Sequence, residues 1–191
     1  MRSISFETVG SVSAMVVGVA SLFVAMNEAG SVRRQQAAAV LPIVKMTTFN
    51  SSSDEGTIVS LEVENVGIGP AFIEAERMSL DGTPIIPSEG QTAASALREV
   101  IADDVGDAGF WTSRLEGEIM RSGDSFPLFS ATWRPETEGR GAYAGALIRR
   151  LFNDLDLEIC YCSVFDECWE TTVNAEERPK PIKSCEAFER H

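Results

Sequence analysis

The residues of this chain best placed to do chemistry are its four cysteines, at 160, 162, 168 and 185, with none among the 159 residues before them. An even set gathered near one end reads as two disulfides, with free thiols and a metal site as the competing readings. A structural zinc knuckle spaces its thiolates Cys-x2-4-Cys, and Cys160-Tyr161-Cys162 is tighter than that. A redox dithiol is usually Cys-x-x-Cys at a helix start, where the dipole lowers the thiol pKa, whereas this pair falls in an expected strand. Disulfides persist in oxidising compartments, so the cysteines point to the periplasm or an exterior face.

Other reactive constellations are thin. The single histidine is His191, which removes histidine-based triads and the histidine ligands of sandwich-type copper sites. Asp154 and Asp156 could do acid and base work as a pair, but on an acidic chain they read as solvated charge. Asp103-Asp104-x-x-Asp107 lacks the sixth-place glycine and closing glutamate of an EF-hand. Gly67-x-Gly69 lacks a third glycine, precedes Pro70 and opens a strand, so it does not read as a phosphate loop. The expectation is a protein that is not an enzyme, with no catalytic residue, cofactor or metal. The net charge of -13, from 16 basic against 29 acidic residues, repels a phosphate backbone, so nucleic acid is not an expected partner.

The element that positions the rest is residues 8–27, twenty consecutive positions without a charge between Glu7 and Glu28. That is the length of one transmembrane helix, longer than a signal-peptide core, and no Ala-x-Ala cleavage site follows it. An uncleaved single-pass anchor is expected after a tail of residues 1–7, embedded in a lipid bilayer. Gly10, Ala14 and Gly18 recur every four residues on one face, the spacing that lets two helices approach closely in lipid. They are the expected contact to a membrane-embedded partner or to a second copy. Arg2 lies on one side and Arg33 and Arg34 on the other, so the positive-inside rule taken alone slightly favours a cytoplasmic domain, although large domains translocate with little regard to nearby charge. The cysteines favour a periplasmic domain on a bacterial inner membrane.

Residues 28–41 are good helix formers and read as a helical stalk ending before Pro42. From Ile43 the pattern turns to short alternating runs, IVKMTTF and TIVSLEVEN, then FIEAERMSL closed by Asp81-Gly82, a hairpin signal. Residues 88–104 read as a helix of about three turns, with Ser88 and Gln91 placed as its capping box. AYAGALIRRLF reads as a second short amphipathic helix, with Arg149 and Arg150 balanced by the acidic residues that follow. The last strands are LEICYCSV and ECWETTV. A five-residue loop, Ser163 to Glu167, sets Cys162 opposite Cys168, while a two-residue loop at Phe165-Asp166 puts them on different faces. The expected pairing is Cys162 with Cys168, leaving Cys160 for Cys185, which would pin the tail 177–191 back onto the sheet.

VENVGIGPAFIEAERMSLDG resembles the Asn-x-Gly-x-Gly-x-Ala stretch, closed by an Asp-Gly turn, of bacterial immunoglobulin-like β-sandwich domains, including membrane-anchored proteins of unknown function. Tyr161-x-Ser163-x-x-Asp166-x-x-Trp169-x-Thr171 is similar to a Tyr-x-Asp-x-x-Gly-x-x-aromatic-x-Thr hairpin near the end of the same domains. The resemblance implies a mainly β fold, an Ig-like antiparallel β-sandwich over residues 42–176 with one or two short helices. The expected function is a membrane-anchored accessory or protein–protein interaction subunit of a larger complex. A membrane-tethered thiol redox or metal-handling protein using Cys160, Cys162, Cys168 and Cys185 is the alternative.

Overall fold

A computed structural model describes residues 6–173 and 178–188. Residues 1–5 of the expected N-terminal tail, the expected domain boundary at 176 and His191 lie outside the described residues. The chain divides into two compact units, the first ending at Ala39 and the second beginning at Val40.

The first unit is one helix, α1 (Phe6–Ala38). No proline interrupts the sequence before Pro42, and the helix runs through the expected anchor and into the expected stalk without a break. Its stretch Ser13–Arg33 is long and apolar enough to cross a membrane, and none of it is buried inside the structure. The expected span 8–27 overlaps this stretch from residue 13 onward.

The second unit is mainly β. Its elements in order are β1 (Val44–Ser53), β2 (Gly56–Asn65), β3 (Ala71–Leu80), β4 (Thr83–Pro84), α2 (Ala93–Val100), α3 (Ala102–Val105) and β5 (Gly109–Thr112). Then come β6 (Ile119–Met120), β7 (Ser125–Trp133), α4 (Arg140–Asn153), β8 (Leu155–Cys162), β9 (Cys168–Thr172) and β10 (Lys180–Ile182). One sheet has the order β1-β2-β7-β5, the other β10-β9-β8-β3-β4, with β6 also on β3, and every pairing is antiparallel. A single cluster of buried side chains draws on both sheets and on α2, α3 and α4, with Val59, Leu61, Phe129, Trp133, Leu157 and Tyr161 among its members. Helix α4 contributes Ala144, Leu147 and Leu151, spaced along one stripe.

Helix α2 corrects one detail of the sequence reading. Ser88 and Gln91 form the turn before it, where Ser88 N–H donates to Gln91 Oε1 at 3.0 Å. The cap is Thr92: its hydroxyl accepts from Ser95 N–H, and Ser95 Oγ accepts from Thr92 N–H. The helical stretch also divides at Ile101 into α2 and α3. Thr92 wins because its side chain reaches the third residue of the helix that actually forms, whereas Ser88 is one turn too early.

The Asn65-Val66-Gly67-Ile68-Gly69 motif fastens the start of the domain. Asn65 is fully buried and its carboxamide is saturated. Oδ1 accepts from Ile43 N–H (3.2 Å) and Gly67 N–H (3.0 Å), while Nδ2 donates to the carbonyls of Gly69 (2.8 Å) and Met120 (3.0 Å). The loop also bonds residues 41 and 43 through Val66 N–H and Ile68 N–H. A Cβ on Gly69 would sit 1.8 Å from the Val40 carbonyl oxygen, and one on Gly67 2.3 Å from the Ile43 nitrogen. The glycines are there because another stretch of backbone lies against them, not to cradle a phosphate.

Candidate functional site

Strand β8 reads Leu-Asp-Leu-Glu-Ile-Cys-Tyr-Cys, and its strict alternation sorts two sets of side chains. Leu155, Leu157, Ile159 and Tyr161 enter the core, and Asp156, Glu158, Cys160 and Cys162 share the opposite face. On that outer face the sulfurs gather. Cys162 stands directly opposite Cys168 across a five-residue loop and is bonded to it, and Cys160 is bonded to Cys185. This is the pairing expected from the sequence. The loop itself shows how this chain departs from the hairpin pattern it resembles. Ser163 Oγ accepts from Phe165 N–H, and Asp166 takes the left-handed φ of 59° at the place where the pattern has glycine. Tyr161 stacks on Trp169 at 5.9 Å behind it. The Tyr161 hydroxyl accepts from Val44 N–H, and burial pushes its pKa up to about 12.

The Cys160–Cys185 bond holds the tail on the sheet. β10 pairs with β9, and beyond it a short 3-10 turn (Cys185–Ala187) delivers Phe188. Ala75, Cys160, Cys168, Cys185 and Phe188 form a small second core on this outer face. The Arg77 guanidinium lies 4.1 Å from the centre of the Phe188 ring and donates to Glu158, its direct cross-strand neighbour, at 2.6 Å. The sulfur of Cys162 is 3.8 Å from that of Cys185, and those of Cys162, Cys168 and Cys185 lie within 4.8 Å of one another. All four are spent as disulfides, so the metal-handling alternative requires their reduction.

Beside this face lies a groove of about 660 Å³ that wraps around the edge of β3. Its walls are Met78, the 84–87 loop, the start of α2, residues 114 and 116, and the outer-face residues Asp156, Glu158 and Phe188. The edge is open only over residues 74–77, because β6 and the backbone of 117 and 118 cover it through Ile73, and β4 and Ile85 N–H cover it from Met78 onward. A bulge in the β3–β8 ladder, between Ile73 and Ala75, decides what faces the groove. Ile73 pairs with core Tyr161. After the extra residue, Ala75 pairs with outer-face Cys160 and Glu76 with core Ile159. The slip lets both Ile73 and Met78 face the core, and it turns the Glu76 carboxylate to that same side.

Glu76 is half-buried, and its Oε2 is enclosed with no hydrogen-bond partner among the described residues. Burial, reinforced by the nearby charge of Glu116 and only partly opposed by Arg114, lifts its pKa to about 7 from an ordinary 4.5. The acid is therefore close to half-ionised at neutral pH. No known protein family, curated protein or solved structure matches the chain. The geometry is therefore the guide to function.

The other residues singled out in the sequence are placed as follows. Gly10, Ala14 and Gly18 are exposed along α1, and nothing lies within 4 Å of a Cβ built on either glycine. Asp154 and Asp156 do not act as a pair, since Asp154 joins Asp81 and Asp104 around Arg150, while Asp156 lines the groove. Those three carboxylates hold the Arg150 guanidinium still further above its ordinary range. Glu76, Arg77 and Phe188 had no signal in the sequence, because only the bulge and the disulfide-held tail bring them to one place.

Proposed function

We propose that this chain is a single-pass protein of a bacterial cytoplasmic membrane. Its periplasmic domain is an immunoglobulin-like sandwich that serves as a non-enzymatic interaction subunit of a larger membrane complex. The observation that carries the reading is the exposed apolar stretch Ser13–Arg33, on a chain whose second unit closes all four cysteines into disulfides. The sandwich assignment is supported by strand order. β1-β2-β7-β5 against β9-β8-β3-β4 follows the A-B-E-D and G-F-C-C′ order of immunoglobulin-like domains, with α4 between the strands equivalent to E and F.

The Gly10, Ala14 and Gly18 face of α1 is the contact to a membrane-embedded partner or to a second copy. In membranes expressing the full chain, intact mass should show residues 8–27 retained, and protease should reach the domain in spheroplasts but not in intact cells. Association in mild detergent should weaken in Gly10→Leu and Gly18→Leu while the domain stays folded. A cleaved N-terminus would overturn the anchor. Unchanged association in both variants would leave α1 a plain tether.

A further inference from the structure

We propose that the groove at the open edge of β3 binds a peptide segment of a partner protein that carries one lysine or arginine flanked by apolar side chains. The walls divide by chemistry. Ile86, 76% exposed, and the half-buried Ile85 offer apolar surface, while Met78 and Phe188 line the groove but are themselves buried. The floor offers carboxylates that the fold leaves uncompensated. Glu158 is taken up by Arg77, whereas Glu76 has the like charge of Glu116 near it and Arg114 as the opposing charge. Thr92 N–H and Ser95 N–H, at the start of α2, are engaged in their own capping box. A buried carboxylate oxygen without a donor is uncommon in folded proteins and is the complement of an ammonium or guanidinium group. Ile85 and Ile86 at the rim favour a side chain flanked by apolar neighbours over a bare amine.

Cation binding and proton loss from Glu76 are linked. A bound cation stabilises the ionised acid, so peptide binding releases a proton near neutral pH and strengthens as pH rises. The charges that act on it are Glu116 and Arg114 of the 113–118 loop, while Arg77, Asp156 and Glu158 line the groove from the opposite face of the sheet. With the free acid titrating at about 7, affinity should rise about tenfold between pH 6 and pH 8. This proposal does not depend on α1 spanning a bilayer, so it fails or holds separately from the membrane reading.

The test uses the full chain in mild nonionic detergent, with detergent buffer alone as the control. The probe is the blocked peptide acetyl-Ala-Ile-Lys-Ile-Ala-amide, followed by calorimetry in two buffers of different ionisation enthalpy. Saturable binding is expected, weakened at least tenfold by acetylating the lysine and by Glu76→Gln, and several-fold by Ile86→Ser at the exposed rim. Proton release in wild type should vanish in Glu76→Gln. Absence of saturable binding, equal binding of the acetyl-lysine peptide, or affinity that is independent of pH and of both substitutions would overturn the proposal.

Discussion

Replacing Asn65 by alanine tests how the domain is closed at its starting end. The carboxamide makes four hydrogen bonds to backbone groups of Ile43, Gly67, Gly69 and Met120, three of them in buried surroundings. Alanine would leave two N–H groups and two carbonyls without that partner. At about 1 kcal/mol net for each bond, and more for a group left dry, the loss should be about 4 kcal/mol. That is a large part of the 5–15 kcal/mol typical of a whole domain, and it corresponds to a fall in Tm of roughly 8–16 °C. Urea unfolding of the full chain in nonionic detergent, followed by tryptophan fluorescence from fully buried Trp133, would measure it. Asn65→Asp sharpens the test, because it keeps the acceptor for Ile43 and Gly67 but turns an oxygen toward two carbonyls. It should be at least as damaging at neutral pH and should recover partly in acid, where the introduced carboxyl regains a donor. A loss below about 1 kcal/mol in the alanine variant would refute the claim that Asn65 holds the loop against residues 41–43.

Three further outcomes follow from the same geometry. Removing the Cys160–Cys185 bond by paired alanine substitution should cost about 3.5 kcal/mol from its 25-residue separation, against about 2.2 for Cys162–Cys168 with a separation of 6; denaturant midpoints in the reverse order would contradict the loop-closure account. Gly69→Ala should destabilise by at least 2 kcal/mol or roughly so, since the added methyl meets the Val40 backbone rather than a side chain that can turn away, and a thermal melt within a degree of wild type would refute it. Glu76 binds its proton more tightly folded than unfolded, so its contribution is present below pH 4.5 and lost as pH rises through about 7. Glu76→Gln should therefore flatten that decline and gain up to about 2 kcal/mol over wild type at pH 8, less than the full linkage because the group is partly exposed.

Much of the domain could be read from its residues because neighbours in sequence settle it. The alternation in β8 assigns its two faces, Asp81-Gly82 turns β3 into β4 with both residues at positive φ, and the long uncharged run makes α1. The disulfide pairing was also legible, because five residues between Cys162 and Cys168 allow a hairpin that sets them face to face. The periodicity of helix α2 is legible, but its cap lies one turn beyond the expected Ser88, since several Ser, Thr and Gln residues precede the helix and only packing selects among them.

What the tertiary structure alone decided is the groove. Phe72, Glu74, Glu76 and Met78 stand two apart, and no local rule says that one extra residue near Glu74 swaps the faces of the strand. The slip follows from the demand that Ile73 and Met78 both reach the core opposite Tyr161 and Leu157, partners more than eighty positions away in the case of Ile73. Composition and spacing thus determined the anchor-like helix, the strands and the cystines. The long-range register determined which carboxylate was turned inward without a partner, and so where this acidic domain is best prepared to receive a cation.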